Sequence, residues 1–202
     1  MKMILQSERL EDYLAASEDV DYQHPAVTAV RDRLAEATSD EVERIKLAFE
    51  FVRDEIAHSW DIQSHLITRK ASEALLDGEG ICYAKSNLLA ALLRALGIPA
   101  GFCYQRLTLG DTPDTGYCLH ALNGVYVSSL QKWIRLDARG NKPGIEAEFS
   151  LEEEKLAFPI RCDYDEIDYP IIYFEPNKKT MDCLRAHADC RDMYRNGLPT
   201  EL

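Results

Sequence analysis

The sequence predicts an α+β fold, with helices gathered ahead of an antiparallel sheet. Two observations carry this. Helical signals fill the chain from Pro25 to Leu96, and beyond Pro99 the period changes to that of strands. Those strands are Gly101 to Leu107, Leu119 to Val127 and Lys132 to Leu136, the last two joined by only Ser128 to Gln131.

Each element follows from local chemistry. Leu10, Tyr13 and Leu14 hint at a turn or two, and Pro25 to Ala35 reads as a short helix. Asp40 to Ile56 is the clearest amphipathic helix, because Val42, Ile45, Phe49, Val52 and Ile56 recur at helical steps. Thr38 with Glu41 has capping-box spacing at its start. His58 to Arg69 has no period and reads as loop. Ala71 to Leu76 is a short helix stopped by Asp77-Gly78, and a glycine-rich turn from Gly78 leads to Cys82.

From Cys82 to Leu96 runs a strong helix. Leu88, Leu92 and Leu96 form one ridge with Leu89 and Leu93 beside it. A helix apolar nearly all round belongs in the core. Gly97 ends it, and Pro99 forbids its continuation. Gly110 to Thr115 is a polar loop, Glu146 to Lys155 a short helix or loop, and Asp163 to Glu175 extended. Thr180 to Tyr194 reads as one closing helix, stopped by Gly197 and Pro199. No repeat or low-complexity linker interrupts the chain. One domain over residues 1–202 is expected, with a core of about 40–142 and an extension, 143–202, packed on it.

With 46% hydrophobic and 29% charged residues the composition is that of a globular protein. The formal charge of −12 argues against nucleic acid and against an anionic membrane surface as partners. The longest apolar stretch, Leu88 to Leu93, is far too short to span a bilayer. The opening MKMILQSERLEDY meets charge at once, so no leader is expected and a cytoplasmic location is. Six cysteines occur without a C-x-x-C pair, which points to free thiols. Cys118 and His120 would share a strand face near Cys82, but their spacing is poor for zinc. No metal or cofactor is expected.

Cys82 is the candidate nucleophile. A cysteine attacks as thiolate, and the unpaired amides and dipole of a helix N-terminus favour an anion there. The same amides can serve as an oxyanion hole. A thiol also needs a base, and the base an orienting acceptor. If the last two strands pair across their four-residue connection, Val127 lies opposite Lys132 and Leu122 opposite Asp137. His120 shares the face of Leu122, so His120 and Asp137 become diagonal neighbours, about 7–8 Å apart in backbone.

These residues also resemble a known family. The run GEGICYAKSNLLAALLRALGIPAGF, Gly78 to Phe102, is similar to the nucleophile helix of transglutaminase-like proteins, with its G-x-C turn and its R-A-L-G-I-P-A lead into a strand. HALNGVYV from His120 resembles the family's histidine strand, and KWIRLDARGN from Lys132 its W-x-x-L-D strand. The order Cys, His, Asp is the family's, and the likeness spans Phe51 to Asn141. It implies a papain-like, transglutaminase-like cysteine protease fold and acyl-transfer chemistry on an amide or ester. Catalysis would then rest on Cys82, His120 and Asp137.

Departures are informative. Leu122 stands where the family usually has Trp, and Ala84-Lys85-Ser86 replaces acidic or aromatic positions. Lys85, one turn on from Cys82, either faces the cleft, to support the thiolate or hold an anionic group, or is solvated. The resemblance also implies a side-chain oxyanion donor upstream of the cysteine. Trp60 and Gln63 carry suitable N–H groups, and His58 is either a donor or a second cleft histidine. Arg139 to Lys142 reads as a polar turn. Tyr164, Tyr169, Tyr173 and Phe174 are expected to pack on the sheet rather than wall the cleft.

The expected function is thiol attack on a peptide, another amide or a small acyl substrate through an acyl-thioester, with hydrolysis favoured over protein crosslinking. One alternative is an acyltransferase of the arylamine N-acetyltransferase type. Another is a binding module that keeps the fold without the activity.

Overall fold

Four helices lead the chain: α1 (Pro25–Ala37), α2 (Glu41–Glu55), α3 (Ala71–Asp77) and α4 (Cys82–Ala95). The computed structural model describes residues 2–202. Every residue of α4 from Cys82 to Arg94 is buried. A helix without a polar face is stable only when covered all round. Helices α1, α2 and α3 pack on it, and so does the sheet. Leu88, Leu89, Leu92 and Leu93 are fully buried there, each contributing roughly 2 kcal/mol of hydrophobic stabilisation.

Three short strands precede the sheet proper: β1 (Ile4–Leu5), β2 (Ala57–His58) and β3 (Glu79–Gly80). The sheet consists of β4 (Ala100–Thr108), β5 (Tyr117–Val127), β6 (Lys132–Leu136) and β7 (Ile167–Asp168) in the order β6-β5-β4-β7, antiparallel throughout. A last strand, β8 (Ile171–Ile172), pairs in parallel with β1, while β2 pairs in parallel with β3.

Two polar residues fasten α4 to its surroundings. Asn123 of β5 donates to the carbonyls of Ser86 and Gly101, both at 3.1 Å. Arg94, buried, donates to the carbonyls of Ala15, Ala100 and Phe174 at 2.6–3.0 Å. Burial pulls its pKa down to about 10, which still leaves it charged at neutral pH. A buried cation persists only when hydrogen-bonded in this way.

Some expectations are corrected. Helix α2 is capped by Asp40, which accepts from the Glu43 amide at 2.8 Å. The Thr38 hydroxyl accepts the Asp40 amide and not an amide of the helix, so the capping-box spacing puts the start two residues early. Of the two readings of Glu146 to Lys155, helix or loop, the loop is the one that forms. The single closing helix is two, α5 (Lys178–Ala186) and α6 (Cys190–Asn196). His187 between them is extended, and Asp189 caps α6 by accepting from the Arg191 and Asp192 amides. Cys183 and Cys190 are both buried, but on different helices. Arg135 ties the region after residue 143 to β6 through bidentate pairs with Glu154 and Asp168 at 2.6–2.8 Å.

Candidate active site

Cys82 is the first residue of α4. Ile81 before it is extended, and no side chain caps the first turn. The amides of that turn therefore have no partner supplied by a capping residue. The approach to Cys82 is tightly packed. At Gly80 a Cβ would lie 2.8 Å from the Thr68 hydroxyl and 2.9 Å from the Ala84 methyl, so only glycine fits. Gly80 also pairs with His58 across β2 and β3, which sets that histidine two residues from the head of α4.

The β5–β6 register is the one the sequence predicts, with Val127 opposite Lys132 and Asn123 opposite Leu136. Asp137 follows at the end of β6, and its Oδ2 lies 2.8 Å from His120 Nε2. The carboxylate also accepts the Arg139 amide at 3.2 Å and the Ala157 amide at 3.1 Å. Burial pushes the Asp137 pKa up, but His120 and these amides push it further down, so the net shift is downward. Burial pushes His120 down, and Asp137 and Cys82 more than reverse this, raising it to about 10. Cys82 lies near enough to the ring to act on it. With Nε2 taken by Asp137, that leaves Nδ1 for the sulfur. Phe158 packs edge-on against the imidazole, centroids 5.1 Å apart.

Exposure is graded across the three groups: Cys82 8%, His120 4% and Asp137 1%. Cys82 and His120 line a cavity of about 470 Å³, within the range of small-ligand sites. Phe158, Tyr194 and Leu198 also face it, so the region after residue 143 supplies part of the wall. Cys118 lines it too, its thiol pushed up to about 12 by burial and by Cys82.

The structure sorts the four further candidates. Trp60 lines the cavity and stacks on Tyr194, centroids 4.3 Å apart and rings 9° from parallel. His58 lines it as well, and its Nδ1 is buried without a hydrogen-bond partner. Burial and then the Arg139 charge drive its pKa well below the usual value, so the ring is neutral. Gln63 is exposed and spends its side-chain N–H on the Trp60 carbonyl at 2.6 Å, outside the cavity. Lys85 neither faces the cleft nor meets solvent. It is 1% exposed and donates to the carbonyls of Arg53 (3.3 Å) and Ile56, at the C-terminal end of α2. Burial pulls its pKa down to about 7. Neither the substrate reading nor the solvated reading of Lys85 survives.

Arg139 differs from the polar turn expected of it. It is buried, lines the cavity and is clamped by Asp61 through two bonds of 2.5 and 2.9 Å. Nothing local in the sequence signals a pair 78 residues apart. Tyr169, Tyr173 and Phe174 pack on the core as expected, while Tyr164 sits in a turn with its ring under the Arg161 guanidinium. Tyr173 exchanges backbone hydrogen bonds of 2.8 Å with Phe102, and the Tyr169 amide donates to Tyr104.

Among solved structures, a protein of Cytophaga hutchinsonii, a cysteine protease by provisional name, is similar at 18% identity and a TM-score of 0.52. The match covers 66% of this chain and 43% of that one. The periplasmic domain of TgpA from Pseudomonas aeruginosa matches at 18% identity and a TM-score of 0.46, over 62% of this chain and 45% of its own. The chain thus spans less than half the length of these structures. No curated protein matches it in sequence. No helix among the described residues is long and apolar enough to cross a membrane. Residues 28–138, more than half of the sequence, match the model of the transglutaminase-like superfamily, and the chain belongs to that superfamily.

Proposed function

We propose that the chain is a cysteine-nucleophile enzyme that forms an acyl-thioester at Cys82 and releases it by hydrolysis of a peptide or other amide. The observation that carries this reading is the buried 2.8 Å bond between Asp137 and a His120 ring whose other nitrogen is left for the Cys82 sulfur. Cys82 attacks the carbonyl carbon. His120 holds the thiol proton and gives it to the leaving amine, then draws a proton from water to resolve the thioester. Asp137 fixes the ring orientation and stabilises the imidazolium.

The oxyanion meets the backbone amide at the head of α4 and the side chain of His58. A buried N–H without a partner costs more than a bare ring nitrogen, so the orphaned Nδ1 carries no proton. The proton then resides on Nε2, and a neutral ring facing the cavity becomes a donor. Trp60 is the weaker candidate, because its ring is committed to the stack on Tyr194. No step needs a metal or cofactor. The net charge of −12 supports a substrate that is neither nucleic acid nor membrane, and six free thiols support a reducing, cytoplasmic setting.

Alkylation tests the reading with an internal reference, because Cys162 is the exposed thiol. Iodoacetamide at pH 7 should modify Cys82 faster than Cys162 despite its burial, as mapped by mass spectrometry. p-Nitrophenyl acetate should give a burst of nitrophenol that Cys82→Ser abolishes. Cys162 reacting first, with no burst, defeats the proposal.

A further inference from the structure

The walls of the cavity are not equally held, and the weakest one is built like a bound peptide. Strand β5 pairs with β6 only from Val127 back to Asn123. Nearer His120, the outward polar groups of Leu119 are met singly. Its amide donates to the Pro199 carbonyl at 2.8 Å, and its carbonyl accepts from the Tyr83 hydroxyl at 2.8 Å. Residues 197–199 thus lie against the open edge of β5, one residue from His120, and Leu198 lines the same cavity as Cys82.

That edge contact cannot spread. Proline has no N–H, so Pro199 returns no bond to β5. A single neutral hydrogen bond contributes about 1 kcal/mol, whereas the other edge of β5 is paired with β4 from Tyr117 to Val125. Leu198 and Leu202 are only partly buried against the core, and the Lys179 ammonium reaches the Glu201 carbonyl at 3.2 Å from an exposed position. A segment with few ladder bonds and partly exposed contacts opens before the rest of a fold does.

We propose that segment 197–202 occupies the subsite of the substrate itself. The substrate is an extended peptide that adds to the β5 edge at Leu119 and places an aliphatic side chain where Leu198 now sits. Strand addition supplies main-chain hydrogen bonds, and the pocket for the alternate side chain supplies selectivity. The segment must swing out for such a peptide to enter, so its closed population lowers apparent affinity by the open fraction. The inference rests on the reading of Cys82 as nucleophile.

The test compares the full chain with one ending at Asn196, using two electrophiles mapped to Cys82. Iodoacetamide is small and needs no groove. An acetyl-Gly-Leu chloromethyl ketone needs the edge and the aliphatic slot. Deletion should raise the rate with the ketone about tenfold, as expected for an open fraction near one tenth. Iodoacetamide should change by less than about twofold, and the free peptide NGLPTEL should reverse the gain with the ketone. Equal rates in both chains, or a fall with both reagents, overturn the proposal. If the shortened chain does not fold, Leu198→Ala in the full chain decides: a gain of several-fold with the ketone alone supports it, and no gain refutes it. Failure of iodoacetamide to reach Cys82 in any chain would sink the parent reading instead.

Discussion

The floor of the cavity and its walls are built from different bonds. At the floor, Cys82 is set by the start of a fully covered helix and His120 by the long β4–β5 ladder, opposite Gln105. Asp137 is held by three hydrogen bonds. The walls rest on isolated contacts: the Arg139–Asp61 clamp, the Trp60–Tyr194 stack and one ladder bond to Pro199. The reacting groups are over-determined, and the enclosure around them is not. Rigid chemistry behind a yielding entrance is what the proposed acyl-transfer reaction would need, because reaction demands fixed geometry and admission demands movement.

The largest break in this contrast comes from the floor. Asp137→Asn keeps the shape of the side chain but removes the charge that holds His120 in its protonated form. Turnover should fall by about 10³-fold or more, as in other triads that lose the carboxylate. The far-ultraviolet spectrum should stay native. A wild-type rate in this variant would remove Asp137 from the mechanism.

A pH series sharpens the comparison further, because two buried cations bracket the floor with opposite shifts. His120 is raised to about 10, so between the ordinary histidine value and about 10 the folded state binds more protons than the unfolded one. Its contribution is complete below that window and is lost as pH rises through it. Lys85 is lowered to about 7, so above pH 7 the unfolded chain binds more protons, and stability rises towards the ordinary lysine value. The two slopes, each at most about 1.4 kcal/mol per pH unit, largely cancel. Urea midpoints of the wild type should therefore be nearly flat from about pH 7 to about pH 8, above which the buried thiols of Cys103, Cys118, Cys183 and Cys190, all raised, turn every profile downward. Within the flat window, Lys85→Met should turn that line downward and His120→Gln upward. Parallel profiles in all three proteins would show that neither shift exists.

The same division explains what the sequence made legible. His120 and Asp137 could be placed together because a strand has period two and the connection of Ser128 to Gln131 fixes the register. The α4 helix announced itself through its leucine ridges and its Gly97 stop. The burial of Lys85 is not legible locally, because it depends on carbonyls at the far end of α2, which no local pattern encodes. Cys183 and Cys190 keep a helical spacing that hides the break between α5 and α6, which depends on Asp189 turning its side chain back to cap α6. Phe158 and Leu198 reach the cavity through irregular chain, where sequence carries no periodic signal, and Tyr194 reaches it from α6, whose direction the break after α5 sets.

The walls give the smallest effect, and it should appear in substrate binding rather than in chemistry. Tyr194→Leu keeps an apolar side chain in the wall but removes the stack on Trp60 and the edge contact with the His58 ring. Stacked aromatic pairs contribute about 0.5–1.5 kcal/mol beyond their buried area, so stability should fall by about 1 kcal/mol. Nothing in the bond between His120 and Asp137 depends on Tyr194, so the iodoacetamide rate at Cys82 should hold within about twofold while KM for an acyl substrate rises several-fold. A large loss of kcat with unchanged KM would mean that the Tyr194 contact is what holds His58 in place for the oxyanion, and the division between a rigid floor and a yielding enclosure would fail.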